Sequence, residues 1–308
     1  MITFFYRNVR EAALTTAEQF RPGTWIHAEV PTEDELARLS SEFGLDADLL
    51  NDALDPEEIP RVELDGDNVY VYTRFATRNG AQVATNSLLL VVTPKFVASI
   101  TRVPLPDLAR LTATADLYTT QRPKLLLQLM RYAVASYDRN VTFLTRQIRG
   151  VRAKLNVTNV NNRVFIQFVG LEDALNDFLS ELGPTNSLLT ALLTGRYNLS
   201  FFEEDKDLIE DLIQMIRQLT DTCRGSLRTI VNIREAYSNI MSNNLNRQVQ
   251  LLTTLTIVLT IPTVVFSYFG MNVPLPGQHS MGATALITSG TVAVCALILW
   301  MFHKRGWL

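Results

Sequence analysis

Hydrophobic and charged positions are distributed unevenly along this chain, and its C-terminal part carries the clearest pattern. Residues 248–302 contain no Asp, Glu, Lys or Arg. Within them, residues 249–269 and 283–302 each match the ~20-residue helix that crosses the ~30 Å hydrocarbon core of a bilayer. The pattern predicts two membrane-spanning helices. The alternative, a buried hairpin of a large soluble domain, is disfavoured because such helices normally keep charge on an outer face.

The flanking charges predict how these spans are oriented. Arg247 precedes the first span, His303, Lys304 and Arg305 follow the second, and residues 270–282 between them carry no Lys or Arg. Because positive residues stay on the cytoplasmic side, both termini are expected in the cytoplasm of a cell (inner) membrane protein. The start of the chain becomes charged too soon for a signal peptide, so everything before the first span is expected to be cytoplasmic.

The N-terminal part combines short β-rich runs with helical segments, which is typical of an α/β unit. Residues 69–73 and 88–92 are predicted to be strands. The dipeptide Asn79-Gly80 between them is a hairpin signal. Helices are predicted over residues 32–43 and 46–55.

Helix-forming sequence dominates the rest of the cytoplasmic part, and breaks near residues 156–162 and 195–198 divide it into three long helices. From residue 203 to residue 268 the chain has one glycine, Gly225, and one proline, Pro262. Such a stretch predicts a helix of about 100 Å that enters the membrane. Apolar residues recur in it as in a bundled stalk, which fits either parallel stalks of an oligomer or packing against the chain's own helices. The stalk positions are Leu208, Leu212, Met215, Leu219, Ser226, Ile230, Ile233, Tyr237 and Ile240.

The predicted fold class is an α/β cytoplasmic N-terminal domain followed by a long-helix stalk and two C-terminal transmembrane helices. Six consecutive segments are expected. They are an α/β domain at residues 1–120, antiparallel cytoplasmic helices at 121–200, a stalk continuing into the first span at 201–269, an extracellular loop at 270–282, the second span at 283–302 and a basic cytoplasmic tail at 303–308.

Composition and charge disfavour several functional classes. The net charge of -3 is too small to imply a nucleic-acid partner. Cys223 and Cys295 lie far apart without a CxxC neighbourhood, so both are interpreted as small apolar fillers in a reducing compartment. An enzyme is not expected, because His27, His279 and His303 are scattered and the sequence has no phosphate-binding glycine loop, HExxH motif or nucleophile elbow.

A polar stripe along the first span indicates a path for ions. Positions counted back in steps of three and four from Ser267, five residues before Asn272, would face a common axis if several stalks gathered together. The stripe is polar within the membrane and apolar near its cytoplasmic end, as in a polar pore with a narrow apolar neck. The stripe carries no charge, so a cation would cross hydrated or be coordinated by neutral oxygens. The alternative for any single hydroxyl is a structural hydrogen bond to a helix carbonyl. The stripe consists of Ser267, Thr263, Thr260, Thr256, Leu252, Val249 and Asn246.

The end of the first span resembles the CorA family of divalent-cation channels. Gly270-Met271-Asn272 follows a long helix at the end of the first of two C-terminal spans, and a basic tail at residues 304–308 follows the second. The resemblance covers nearly the whole chain. Segments similar to the family's N-terminal domain lie at residues 48–54, 60–63 and 68–72.

The resemblance implies a funnel-shaped homopentamer, in which five long helices line the pore and the second spans lie outside them. Gly270, Met271 and Asn272 would form an outer selectivity ring, where the Asn272 amide oxygens hydrogen-bond to the water shell that Mg²⁺ gives up reluctantly. The resemblance also places a second amide ring at Asn246, an apolar constriction at Val249 and Leu252, and a basic collar at Lys304 and Arg305.

The family's gate senses intracellular cations between neighbouring subunits, and Asp211 lies at the matching stalk position. Bound Mg²⁺ would offset carboxylate repulsion there and hold the closed state. The region expected to supply a partner acid, residues 75–78, has no acid and carries Arg78. Two further departures are the absence of acids from residues 273–280 and the position of Pro262, which is one residue off the family's usual spacing to the tripeptide.

Three functions remain open at this stage. The first is a Mg²⁺ channel gated by intracellular Mg²⁺. The second is a zinc transporter of the same superfamily, which a proton gradient could drive. His279 would favour zinc, nickel or cobalt, because imidazole suits borderline metals. The third is a membrane-anchored sensor or scaffold without transport, which the polar stripe disfavours because an anchor needs no lining. The expected partners are further copies of the chain, membrane lipid and divalent cations.

Overall fold

The structure of the protein is a computed structural model, and it describes residues 1–114, 116–153, 162–197, 199–271, 273 and 280–306. Internal contacts divide the chain into two units, Met1–Val231 and Asn232–Leu308. The first unit contains a sheet and the helices that cover it, and the second contains long apolar helical segments.

The first unit is built on a seven-stranded sheet. In the order β2-β1-β3-β7-β6-β5-β4, neighbouring strands are antiparallel except for the parallel pair β3 and β7. The strands are β1 at Ile2–Tyr6, β2 at Thr15–Ala17, β3 at Trp25–Glu29, β4 at Arg61–Asp65, β5 at Asn68–Asn79, β6 at Gln82–Val92 and β7 at Val97–Thr101.

Helices follow the predicted order, with two short helices inside the strand-rich region and three long ones after it. The helices are α1 at Glu33–Phe43, α2 at Ala47–Asp52, α3 at Leu108–Thr112, α4 at Arg122–Ala153, α5 at Asn162–Leu193, α6 at Glu203–Phe269 and α7 at Met281–Lys304. The prediction of an α/β unit followed by long helices and two C-terminal apolar helices is therefore confirmed. The second apolar helix begins two residues before the predicted residue 283 and ends two residues after the predicted residue 302.

The predicted hairpin forms, with a slightly different turn. Asn79 still belongs to β5 and pairs with Gln82 of β6, so the connecting residues are Gly80 and Ala81. Gly80 has a φ of 62°, a left-handed conformation that glycine adopts without steric cost and that type II′ hairpins require at this position.

Helix capping explains where α1 and α2 begin. Thr32 and Glu35 form a reciprocal capping box at the start of α1. Asp46 accepts hydrogen bonds from the backbone N–H groups of Asp48 and Leu49 at the start of α2. α2 ends at residue 52, before the predicted residue 55, and the chain continues in tighter turns in which the N–H groups of Leu54 and Asp55 donate to the carbonyls three residues earlier.

The core of the first unit lies on both sides of the sheet. One buried cluster joins Ile26, Tyr70 and Ile100 of the sheet to Leu39 of α1 and Leu50 of α2. α4 packs against β5, where the N–H of Ala76 donates to Ser136 Oγ over 2.7 Å. The rings of Tyr137 in α4 and Phe178 in α5 meet edge to face with centroids 5.0 Å apart, which adds α5 to this layer.

The buried face of the stalk shares six of its nine positions with the predicted series and differs from it mainly near the start of α6. Leu208 is half-buried and Met215 is exposed, because the core-facing series begins at Ile209 and then alternates steps of three and four residues. Cys223 lies in that series and is fully buried; burial raises the pKa of its thiol to about 12, as expected for an apolar filler. The buried series is Ile209, Leu212, Ile216, Leu219, Cys223, Ser226, Ile230, Ile233 and Tyr237.

Candidate ion pathway

Two helical segments are long and apolar enough to cross a membrane, one in the C-terminal part of α6 and one in α7. In these segments 6% and 11% of the residues are buried, whereas most of a soluble protein's core helix is buried. The exposure of both helices supports the two predicted spans.

The two spans contact each other along one face of each helix. On α7 the buried or half-buried residues recur every three or four positions: Ala283, Ile287, Thr291, Cys295, Ile298 and Phe302. On α6 the corresponding face contains Thr254, Ile257, Val258, Ile261, Pro262 and Val265. The thiol of Cys295 lies 3.8 Å from the carbonyl oxygen of Val258, and this contact ties the two faces together.

The predicted pore stripe lies on the side of α6 that faces away from α7. All seven positions are exposed, and Val249 and Leu252 show 55% and 63% of their surface. At about 100° per residue, the six positions from Val249 to Ser267 fall within an arc of about 80° that is centred opposite the α7 contact. Asn246 lies about 40° outside this arc. We call the exposed hydroxyl-bearing positions of this arc the hydroxyl face; they are Thr256, Thr260, Thr263 and Ser267.

The predicted stripe omitted Thr253, which projects beside Thr260 on the same side of α6 and is also exposed. Thr253 is four residues after Val249 and seven before Thr260, so the same counting rule would have found it. We therefore add Thr253 to the hydroxyl face.

The threonine hydroxyls of this face bond to their own helix. Thr256 Oγ1 donates to Leu252 O over 2.8 Å, and Thr260 Oγ1 donates to Thr256 O over 2.7 Å. Thr253 and Thr263 make the same bond to the carbonyl four residues earlier, at 2.8 Å. Each hydroxyl hydrogen is thus committed to the helix, and each oxygen keeps lone pairs that point outwards as acceptors.

Backbone geometry at the outer end of α6 favours a glycine. The N–H of Gly270 donates to Phe266 O over 2.9 Å, and a Cβ atom at this position would lie 3.1 Å from the same oxygen. Met271 follows with its side chain half exposed. Asn272 and His279 lie outside the described residues, so their predicted roles remain predictions.

Asp211 is exposed on the part of α6 that belongs to the first unit. No group of three or more His, Cys, Asp or Glu side chains in the described part of the chain is arranged to hold a metal ion. Residues 75–78, where a partner acid was sought, lie on β5; Phe75 and Ala76 are buried there, and the Arg78 guanidinium lies 4.6 Å from the centroid of the Phe143 ring. These residues therefore supply no partner acid for Asp211.

The buried charge of this strand is Arg74, which the sequence analysis did not single out. Its guanidinium lies 3.3 Å from a carboxylate oxygen of Glu181 in α5 and donates to the carbonyl oxygens of Pro56 and Glu58. Burial raises the pKa of Glu181 to about 7, and Arg74 opposes that rise. This pair fastens α5 to the sheet. A charge inside an otherwise apolar strand was the sequence signal for it.

The two residues of the predicted basic collar lie at the end of α7. Lys304 is the last residue of the helix, Arg305 caps it, and both are exposed. The ammonium group of Lys304 lies 5.3 Å from the centroid of the Trp300 ring. A tryptophan next to positive residues is typical of the membrane–water interface on the cytoplasmic side.

Together with the two exposed spans, the match to a known family identifies an integral membrane transport protein rather than an enzyme. The family described as CorA-like Mg²⁺ transporter protein matches residues 22–304. The chain belongs to this family. It is accordingly a two-span membrane protein with a cytoplasmic N-terminal domain, and divalent-cation transport is the activity that its membership supports.

Known relatives agree with this assignment. The chain is 26% identical over 297 residues to the cobalt/magnesium transport protein CorA of Methanocaldococcus jannaschii, covering 92% of this chain and 91% of that one. The complete structure of the CorA magnesium transporter from the same organism superposes with a TM-score of 0.87 at 21% identity, covering 100% of this chain and 99% of that one. The full-length CmaX protein superposes with a TM-score of 0.76 at 20% identity, covering 99% and 97%. These structures establish the shared fold.

Proposed function

We propose that the protein is a homopentameric Mg²⁺ channel of the cell membrane that closes when intracellular Mg²⁺ is plentiful. One observation carries the proposal. The hydroxyl face of α6 is exposed and lies opposite the contact with α7, so copies of α6 can enclose a path while every α7 stays outside. The family and the name of the curated relative support Mg²⁺ and Co²⁺ as the transported ions.

The chemistry of the hydroxyl face suits a hydrated cation. A Mg²⁺ ion dehydrates reluctantly, and its bound waters present hydrogens outwards. Thr256, Thr260 and Thr263 give their own hydrogens to the helix, so they would present acceptor oxygens to those waters. Neutral acceptors also bind the ion weakly enough for it to leave, as conduction requires.

An apolar neck adjoins this lining on the cytoplasmic side. Val249 and Leu252 lie on the same side of α6 as the threonines and are more than half exposed in a single chain. A ring of such side chains from several copies would exclude water when the helices approach one another and would stop conduction. Asn246, one turn further, would add the second amide ring that the resemblance predicts.

Oligomerisation follows from the same exposure. One α6 helix cannot surround an ion, so a path along its hydroxyl face needs further copies of the helix. Five copies are the number that the family resemblance implies. The outer ring would then be formed by Gly270, Met271 and Asn272. A Cβ atom at Gly270 would crowd the Phe266 carbonyl oxygen, so this glycine would fix the point at which the ring begins.

Regulation would occur at Asp211. The described part of the chain holds no three-ligand metal cluster, so a regulatory site would need one acid from each of two copies or rely on water for most of its ligands, as Mg²⁺ sites commonly do. Cations bound there would neutralise the exposed acids of α6 and favour the closed assembly. Lys304 and Arg305 would form a basic collar at the cytoplasmic membrane face.

The proposal is tested by ion flux into proteoliposomes that contain the full chain and separate dyes for Mg²⁺ and Zn²⁺. Internal Mg²⁺ is varied, and a proton gradient is imposed in a parallel series. Mg²⁺ entry that stops as internal Mg²⁺ rises is the expected result. Zn²⁺ entry that a proton gradient accelerates would instead identify a zinc transporter, and the absence of any cation flux from a folded, inserted protein would overturn both.

A further inference from the structure

Pro262 interrupts the hydrogen-bond ladder of α6 inside the membrane. It lies within the helix, and because proline has no N–H, it cannot donate to the carbonyl of Val258 four residues earlier. No water is available in the hydrocarbon core to replace that bond, so a free carbonyl there is costly. The Val258 oxygen therefore needs a donor from outside the α6 ladder.

Cys295 of α7 is placed to be that donor. Its sulfur lies 3.8 Å from the Val258 oxygen, a distance suited to a thiol, which is a weak hydrogen-bond donor. Both residues lie on the faces through which α6 and α7 touch, and Cys295 is half-buried. The contact thus falls on the carbonyl that Pro262 releases.

Neighbouring hydroxyls do not compete for this carbonyl. Thr291, one turn along α7, donates to Ile287 O over 2.8 Å. Thr254, one turn before Val258 on the same face of α6, is buried, and its hydroxyl has no hydrogen-bond partner among the described residues. Thr263 donates to Leu259 O. The thiol is consequently the side-chain donor available to the Val258 oxygen.

We propose that Cys295 is a positioning residue, whose thiol donates to Val258 O and holds the backbone of α6 in its local conformation at Pro262. Val258 lies between Thr256 and Thr260 of the hydroxyl face, so this bond aligns the parts of the lining before and after the proline. The bond itself stands on the geometry, whereas its effect on transport rests on the proposed channel function.

The first experiment detects the bond without using transport. The infrared S–H stretching band of Cys295 is obtained from the full chain in detergent as the difference between the wild type and Cys295→Ala, and Cys223 provides an internal reference. We expect the band at a lower frequency than that of a free thiol in apolar solvent. In Pro262→Ala, which restores a backbone donor to Val258 O, the band should move to higher frequency while the Cys223 band stays in place. A band at the free-thiol frequency in the wild type would overturn the proposal.

The second experiment measures the effect on the channel. Cys295→Ala and Cys295→Val bracket the size of cysteine and lack a donor, whereas Cys295→Ser keeps one. A thiol is a weak donor, so both non-donor variants should shift the internal Mg²⁺ concentration that halves flux by about twofold, the lower end of the range for a typical hydrogen bond. The serine variant should lie closer to the wild type than either of them.

A double variant separates hydrogen bonding from packing. On the Pro262→Ala background, Cys295→Val should produce no further shift, because Val258 O already has a backbone donor there. An equal shift on both backgrounds would show that Cys295 acts by packing and would refute the positioning role. If the infrared results are as expected but flux does not respond to internal Mg²⁺ in the wild type, the bond stands and the gated channel fails.

Discussion

The two membrane spans of this protein resemble each other in composition and differ in where they place their hydroxyls. Both are mostly exposed in the single chain, and both bond their threonines back to the helix, as Thr256 does at 2.8 Å in α6 and Thr288 at 2.9 Å in α7. In α6 the hydroxyl face points away from the partner helix. Each contact face also carries one buried threonine, Thr254 in α6 and Thr291 in α7. The exposed hydroxyls of α7, which include Thr284, Thr288 and Ser289, stop before residues 292–302, which contain no Ser or Thr.

The difference shows that neither hydroxyl content nor back-bonding identifies a pore-lining helix. Threonine is common in membrane helices because the helix carbonyl satisfies its hydroxyl. A lining requires in addition that the hydroxyls continue along the span on a face that no helix of the same chain covers. Among the described residues α6 meets that requirement. Each change that tests it is therefore paired with a matched control change.

The largest expected effect comes from Asn272, three residues after the end of α6 at Phe269. Asn272→Ala should lower Mg²⁺ flux in proteoliposomes by at least about tenfold, because the methyl group cannot accept hydrogen bonds from the hydration shell. Oligomer size, measured by light scattering in detergent, should remain that of the wild type.

Its control lies at the other end of the same loop. Ser280 precedes α7 and makes no side-chain capping bond, so Ser280→Ala should leave flux unchanged. Equal losses in the two variants would mean that the loop acts as a whole and that Asn272 has no special role.

The next effect concerns the apolar neck. Leu252 in α6 and Leu297 in α7 are nearly equally exposed in the single chain, at 63% and 62%. Leu252→Gly should leave a channel that leaks at high internal Mg²⁺, with residual flux about tenfold above the wild type, because removing the side chain allows the neck to stay wet. Leu297→Gly removes the same side chain from the lipid side and should not leak. A leak in both variants would point to general destabilisation of the membrane helices.

The hydroxyl lining allows a conservative test of smaller effect. Thr256→Val and Thr288→Val each replace a back-bonded hydroxyl by a methyl group of similar size. Loss of an acceptor ring in α6 should reduce the maximal Mg²⁺ flux by about two- to tenfold, the value of a typical hydrogen bond, and the change in α7 should not. If Thr288→Val lowered flux as much as Thr256→Val, the assignment of α6 as the lining helix would be wrong.

Much of this comparison was accessible from the sequence. The absence of charge over residues 248–302 predicted both spans, and the three- and four-residue steps predicted the exposed stripe, because a helix is periodic and membranes exclude charge. Local signals also located the α/β unit, the hairpin at Gly80 and the two short helices.

The remaining features depend on tertiary contacts that a single sequence does not specify. The predicted stalk series included Leu208 and Met215 in place of the similarly hydrophobic Ile209 and Ile216, and the packing of α6 distinguishes them. The contact between Val258 and Cys295 depends on how far α7 slides along α6. The buried pair of Arg74 and Glu181 likewise joins distant parts of the chain. Asn272 lies outside the described residues, and its role stays a prediction.

The smallest expected effect tests whether α6, unlike α7, carries a signal from the cytoplasm. Asp211 and Asp221 are both exposed acids on the cytoplasmic part of α6 and project from different sides of it. Asp211→Lys should raise the internal Mg²⁺ concentration that halves flux by about twofold, since an exposed charge interaction is worth at most about 1 kcal/mol. Asp221→Lys makes the same change in charge and should leave that concentration unaltered.

Ionic strength makes this last comparison sharper. If the shift in the half-maximal internal Mg²⁺ concentration arises from a cation bound at Asp211, it should persist in about 0.5 M salt, because a directly coordinated ion is little affected by screening. If it arises from surface charge in general, it should fade as the Debye length shortens. A shift in both variants that disappears at high salt would assign the response to the overall field of the acidic stalk. A shift confined to Asp211→Lys that survives high salt would place a specific cation site there, on the helix that continues into the membrane.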